Sequence, residues 1–349
     1  MNVSVSDPFN AASDTALPSV AAAIDPARAA KEFKRRLSGL SGDGRLKLNA
    51  IRVVRHKPGK RCVVEYDVTV KRQDEPEHAV TLIGKARARR SGNEGFRQLE
   101  MIWNAGFDAS SPDGISVPEP IGVISEFKMW FQRKVAGEVT TKLIGGPDGG
   151  TLAARIAEAL HKLHRANLTT ERAHAMADEL RILRECLEKV SVLRPELASR
   201  VSRLMTACER LGASVPEPKT CGIHRDFYPA QVIVDGPPSL RFGAAGARIW
   251  LIDFDLFCLG DPGLDAGNFL GHVTEQALRE RGNAGALADV EKALEERFVE
   301  LHGQQVRASV RAYTILTMAR HVYLSQQFSE RSHTVMDLMR LCEQRLGIV

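Results

Sequence analysis

Two short apolar runs, QVIV (231–234) and RIWLI (248–252), interrupt a stretch that is otherwise helical in its periodicity, and each adjoins an aspartate. The first follows GIHRDFYPA, where Pro229 discourages helix and leaves Asp226 in a loop just ahead of a strand. The second ends at Asp253, 27 residues beyond Asp226, again directly after an apolar strand and followed by Phe254. Taken singly, either aspartate is an ordinary Asx-turn residue. Loop aspartate, strand, strand, loop aspartate is a spacing that chance supplies rarely, and it points to a built polar site.

The two carboxylates fit the needs of phosphoryl transfer. That reaction asks little covalent chemistry of the protein: metal ligands, a cation on the phosphates, and a carboxylate that orients and deprotonates the attacking hydroxyl. Asp226, in His224-Arg225-Asp226, suits the base. Asp253 suits the carboxylate that holds magnesium against nucleotide phosphates, although Asp255 stands where a glycine is usual. The kinase loop H-R-D-x-x-x-x-N ends here in Gln231 in place of Asn; glutamine keeps the amide oxygen on a stem one methylene longer. His224 is expected to support the loop by hydrogen bonding. His161 and His164, in HKLH, share one helical face but lack further ligands nearby, so they read as interface or cap residues rather than a metal site.

The first half of the chain has a different period. In CVVEYDVTV, Val64, Tyr66, Val68 and Val70 alternate with polar residues, and AIRVVRH and AVTLIGKAR flank it as further strands. Asp25 and Pro26 open a helix, another follows near 92–105, and two short strands near 121–135 complete a five-stranded antiparallel sheet. Lys85, on the third strand, is the candidate phosphate lysine. Glu94 and Glu100 compete as its partner; Glu94 is preferred because it opens the helix, although Ser91 to Glu94 also reads as a capping box. Gly59, between Lys57, Lys60 and Arg61, occupies the place of a phosphate loop but is poor in glycine; a plain hairpin turn is the competing reading.

Beyond Gly137 helices are expected near 171–190, 195–212, 285–302, 305–327 and 333–345, with PPSLRFGAAGAR (237–248) as a loop. The expected organisation is a flexible leader over 1–24, a nucleotide-binding lobe over 25–135, and a helical lobe over 136–349 with the catalytic loop and acceptor site: an α+β fold. Net charge is +5, from 48 Lys and Arg against 43 Asp and Glu, and the basic residues are interleaved with acids, which argues against a nucleic-acid partner. Six cysteines without CxxC pairing read as reduced thiols of a cytoplasmic protein. No apolar run approaches the ~20 residues of a membrane span, and the N-terminus lacks the pattern of a secretory signal.

Together, Lys85, NEGFRQLEMIWNAGF, QRKVAG, IAEALHKLH, HRDFYPAQV, IDFD and GDPGLDAGNF make the chain resemble the aminoglycoside phosphotransferase and choline kinase-like family, over roughly residues 50–300. The resemblance implies a bilobal protein kinase-like fold using ATP and Mg2+. It implies Asp226 as catalytic base, Gln231 and Asp253 as metal ligands, and Lys85 and Glu94 as the phosphate clamp. The backbone of Arg133 and Val135 would face adenine, Gly59 and Lys60 would meet phosphate, and Asp265 would brace the loop. Maltokinases, similar in this region, also carry glutamine at the position of Gln231, which tilts the acceptor toward a saccharide or aminocyclitol hydroxyl. The implied function is transfer of the γ-phosphate to a hydroxyl of a sugar, aminocyclitol or amino alcohol. A nucleotide-binding regulator without phosphotransfer is the main alternative. A protein kinase-like enzyme is disfavoured, because no Ala-Pro-Glu segment follows IDFD.

Overall fold

The computed structural model describes residues 3–42, 44–72, 76–88, 92–236 and 247–348. The loop expected over 237–248 lies outside them except for Ala247 and Arg248, as does Ser91 of the expected capping box. The chain divides into two compact units, residues 1–112 with 116–136, and 113–115 with 137–349.

The first unit runs β1 (Ser4–Ser6), α1 (Ser19–Ala23), α2 (Pro26–Arg36), β2 (Arg45–Lys57), β3 (Arg61–Lys71), β4 (His78–Arg87) and α3 (Gly92–Ile102). It continues, after β5 (Ile115–Ser116), with β6 (Pro120–Ile124) and β7 (Met129–Arg133). Alternation in β3 is strict: Cys62, Val64, Tyr66, Val68 and Val70 are buried and the residues between them are not. The Asp25 side chain accepts from the Arg28 N–H at 2.8 Å, and Pro26 opens α2.

Five antiparallel strands were expected; the sheet has six and is mixed, in the order β1-β2-β3-β4-β7-β6. The extra strand comes from the N-terminal segment: β1 pairs parallel to β2, Ser4 opposite Ala50 and Ser6 opposite Arg52. Within the described residues of 1–24 the strand residues Ser4–Ser6 are exposed, while part of the segment packs on the sheet. Leu17, Val20 and Ala23 are buried, and the Tyr66 hydroxyl donates to the Ala23 carbonyl at 3.0 Å. Alternating hydrophobicity cannot reveal a three-residue edge strand, because so short a segment carries no period.

The second unit holds β8 (Glu138–Val139), α4 (Thr140–Leu143), α5 (Gly149–Arg165), β9 (Ala173–His174), α6 (Met176–Leu193) and α7 (Ala198–Ser214). Next come β10 (Cys221–Ile223), β11 (Val232–Asp235), β12 (Arg248–Leu251), β13 (Cys258–Gly260), α8 (Pro262–Arg281), α9 (Ala288–His302), α10 (Arg307–Leu324) and α11 (Val335–Leu346). Two small sheets, β10-β13-β9 and β5-β12-β11-β8, stand among the helices. Among the described residues no helix is long and apolar enough to cross a membrane. All six cysteines are free thiols and none is exposed.

Helix α8 is buried along most of its length, and glycines let α10 approach it closely. Gly263, Gly267 and Gly271 recur every four residues, which places them on one face. A Cβ at Gly267 would stand 2.6 Å from the Tyr313 Cβ and 2.7 Å from the Val310 carbonyl oxygen; one at Gly271 would meet the Thr317 Cβ at 2.7 Å. Replacing a helical glycine by alanine normally gains about 1 kcal/mol of helix propensity. Here the neighbours are backbone and Cβ atoms that cannot swing aside, and overpacking of this kind costs about 1–3 kcal/mol. Gly267→Ala is therefore expected to lower the thermal midpoint; an unchanged or raised midpoint would show that the two helices are not in such close contact.

Candidate active site

The second unit builds its catalytic loop on one buried carboxylate. After β10 the chain turns sharply, with Arg225 in the left-handed region at φ +70. Asp265, in the first turn of α8 and wholly buried, accepts the backbone N–H groups of His224 at 2.8 Å and Arg225 at 2.7 Å. It also accepts from His164 Nε2 at 2.9 Å. His224, itself buried, donates from Nε2 to the Ile252 carbonyl at 2.8 Å. On the far side of the turn, Asn268 Nδ2 donates to the Phe227 carbonyl at 2.9 Å. The Asn268 oxygen accepts from Arg320 at 2.8 Å and Thr317 at 3.1 Å. Asp226 sits between these fixed points and is half-buried; among the described residues none donates a hydrogen bond to its carboxylate.

Gln231 and Asp253 meet at one end of the β11–β12 pair. Val232 lies opposite Leu251, so Gln231, one residue before, and Asp253, two residues after, leave the ladder together. The Ile252 N–H donates to the Gln231 carbonyl at 3.0 Å and closes this end. Asp253 takes a left-handed conformation at φ +66, which aspartate tolerates better than most residues. Phe254 behind it packs on the His224 ring, centroids 4.7 Å apart, tying the Asp253 turn to the catalytic loop. Among the described residues no group of three or more His, Cys, Asp or Glu has the geometry of a metal centre. A carboxylate and an amide, both oxygen donors, still fit magnesium, which prefers oxygen and is commonly bound by one or two carboxylates together with substrate phosphates.

His164 is neither a cap nor a metal ligand but part of the brace. The His302 Nδ1 lies 3.1 Å from the Phe298 carbonyl, an acceptor only, so that nitrogen carries the proton. Burial first, and the neighbouring His164 next, push the His302 pKa down to about 3, so its Nε2 presents a lone pair. His164 Nδ1 lies 3.1 Å from it, and His164 Nε2 lies 2.9 Å from Asp265. His164 therefore links His302 to the buried Asp265 carboxylate. His161 stacks edge-on against His302, and burial lowers its pKa.

In the first unit, Lys85 lies on β4 with Nζ 4.9 Å from the centre of the Trp130 ring. Gly95, in the first turn of α3, packs against that same indole: a Cβ there would stand 2.6 Å from Trp130 Nε1. The structure thus brings the exposed Glu94, one residue earlier, and Lys85 to the surroundings of one tryptophan. The β2–β3 turn is organised otherwise than a phosphate cradle. Gly59, at φ +66, donates its N–H to the Asp14 carboxylate at 2.8 Å, which His56 also contacts at 2.8 Å. The Gly59 N–H and then His56 hold Asp14 below the usual carboxylate range. An anion from the N-terminal segment already occupies the donor that a phosphate would need, and the Lys60 N–H closes the turn onto the Lys57 carbonyl. The Arg133 N–H is likewise taken, by the Glu119 carbonyl at 2.9 Å, whereas among the described residues no backbone bond engages Val135.

The sequence reading missed His302, Asn268 and Arg320 as parts of the site. His302 ends a helix far along the chain, and its role depends on the packing of α9 against α5. Asn268 lies one turn beyond Asp265 in GLDAGNF, and that spacing was the one available signal. In Asp265→Asn the amide cannot accept from three donors and brings N–H groups of its own toward them. The substitution is expected to lower kcat by about 10²-fold through displacement of Asp226, with nucleotide affinity little changed. Unaltered kcat in a folded variant would contradict the brace.

Residues 102–307 match the family model described as the phosphotransferase enzyme family. No curated protein matches the chain. Among solved structures, a choline/ethanolamine kinase family protein from Mesorhizobium loti is 14% identical, with a TM-score of 0.54 over 94% of this chain and 93% of that one. The choline kinase LicA from Streptococcus pneumoniae is 13% identical, TM-score 0.52, over 91% and 98%. The ADP-bound aminoglycoside phosphotransferase APH(2'')-Ib is also 13% identical, TM-score 0.51, over 91% and 98%. At these identities the likeness is one of fold; the family follows from the match over more than half the chain, which belongs to the phosphotransferase enzyme family.

Proposed function

We propose that this phosphotransferase moves the γ-phosphate of ATP to a hydroxyl of a small molecule, with Asp226 as general base. The reading is supported by the backbone ties in the second unit: His224 bonds the Ile252 carbonyl, the Arg225 N–H bonds Asp265, and the β11–β12 register carries Gln231 and Asp253 out at one end. The adenine nucleotide is supported by the ADP-bound relative, and the small acceptor by relatives named for choline, ethanolamine and aminoglycosides.

In this mechanism the Asp226 carboxylate accepts the proton of the acceptor hydroxyl as its oxygen attacks phosphorus and the bond to the leaving diphosphate breaks. Asp265 and Asn268 keep Asp226 in line by holding the backbone on either side. Asp253 and the Gln231 side-chain oxygen would hold magnesium, which when bound offsets charge on the phosphates. In the first unit, Lys85 and Glu94 are the proposed phosphate clamp and the Val135 backbone the adenine edge. Gly59 has its N–H engaged by Asp14 and is left out of the phosphate contacts, whereas Arg133, whose N–H bonds Glu119, keeps its carbonyl as the proposed second adenine contact. The acceptor is a sugar, aminocyclitol or amino alcohol.

Asp226→Asn is expected to lower kcat by about 10²–10⁴-fold with nucleotide affinity retained, because an amide cannot take the proton. Wild-type turnover by this variant, followed as ADP release at saturating acceptor, would remove Asp226 from its role. For the metal, Gln231→Asn is expected to shift the magnesium requirement less than Gln231→Leu, since only Asn keeps an oxygen for the cation. Coinciding magnesium titrations for wild type and the Leu variant would make Gln231 a packing residue.

A further inference from the structure

Helix α6 opens on a buried acid that the proposed reaction does not use. Glu179, in its first turn, is 6% exposed and has both carboxylate oxygens engaged. Oε1 lies 2.7 Å from Nε2 of His174, where β9 ends, and Oε2 accepts from Arg320 Nη1 at 3.3 Å. Arg320 belongs to α10, which packs on α6. Burial works to raise the Glu179 pKa; the His174 bond and the charge of Arg320 outweigh it and hold the group below the usual carboxylate range. Glu179 is therefore ionised at neutral pH, and its two partners offset the cost of burying it.

The consequence of this pairing falls on Asn268. An amide side chain can present its oxygen or its N–H₂ group to either side, and its neighbours decide which. Arg320 Nη2 donates to Asn268 Oδ1 at 2.8 Å, and a guanidinium has no acceptor, so the side facing it must be the oxygen. The N–H₂ group is thereby turned onto the Phe227 carbonyl at 2.9 Å. The Thr317 hydroxyl, 3.1 Å from Oδ1, both donates and accepts and so fits either orientation. Arg320 is thus the group that sets the amide, and among the described residues Glu179 is the carboxylate paired with it.

We propose that Glu179 is a positioning residue for the catalytic loop: it seats Arg320, which turns the Asn268 amide onto the Phe227 carbonyl and so sets the place of Asp226. This tie is separate from Asp265, which holds the N–H groups of the two residues before Asp226, whereas Asn268 holds the carbonyl of the residue after it. The effect on turnover rests on the reading of Asp226 as base; the effect on Asn268 does not.

Glu179→Leu keeps the bulk and removes both oxygens. In 15N-labelled protein, the Asn268 side-chain N–H₂ protons, assigned with Asn268→Asp, are expected to exchange slowly in wild type and about tenfold or more faster in Glu179→Leu. The backbone amides of His224 and Arg225 should keep their rates, whereas a general loosening of the fold would speed all of them together. ADP release from Mg·ATP with water as acceptor supplies the kinetic arm. Glu179→Leu is expected to lower kcat by about 10–10²-fold at an unchanged KM for ATP, and to cause no further loss in Asp226→Asn. Should Glu179→Leu fail to fold, Arg320→Met, which removes the link and leaves Glu179 its His174 contact, is expected to give the same two changes. Unchanged Asn268 exchange in a folded variant overturns the proposal, as does uniform acceleration or an equal loss of kcat on top of Asp226→Asn. Wild-type turnover by Asp226→Asn contradicts the base and not Glu179, which the exchange rates judge without any turnover.

Discussion

A single buried carboxylate governs the candidate site. Asp265 accepts two successive backbone N–H groups and pairs with the His164 ring, and the turn at Arg225 gathers those two amides onto it. Burying an ionised carboxylate costs several kcal/mol. Here three hydrogen-bond partners offset that cost, so the group is worth having only in this arrangement. Remove one donor and the cost returns as a displaced loop. That dependence makes a residue that never touches substrate a control point for the position of Asp226.

Around this anchor the rest is register. The β11–β12 pair delivers Gln231 and Asp253 to the same end because Val232 faces Leu251, and His224 reaches the Ile252 carbonyl to join that end to the catalytic loop. Asn268, one helical turn after Asp265, holds the other flank through the Phe227 carbonyl. Both contacts come from α8, whose glycine face lets it sit deep against α10. Packing of a buried helix thus sets the placement of loop residues more than ten positions away in sequence from any of its own.

Much of this was legible in the sequence where local chemistry leaves a period or a motif. The alternation of Val64, Tyr66, Val68 and Val70 identified a central strand, and Asp25-Pro26 marked a helix start. HRD, IDFD and GDPGLDAGNF gave Asp226, Asp253 and Asp265 in order, and the structure joins the surroundings of all three through His224 and Phe254. What escaped has a common cause: contacts between distant segments. The pairing of Ser4–Ser6 with β2 turned an expected leader into a sixth strand. Asp14, from the same segment, claimed the Gly59 N–H that the sequence offered to phosphate. His302 was invisible because nothing near it in the chain signals that it would polarise His164.

The most direct measurement of the central claim is amide hydrogen exchange at His224 and Arg225. If Asp265 holds these two N–H groups in a buried brace, they should exchange in wild type only through large openings, as slowly as the core of α8. In Asp265→Asn they should become fast while the amides of β3 in the first unit keep their wild-type rates. Exchange at His224 and Arg225 that is fast in wild type, or unchanged by the substitution, would contradict the account.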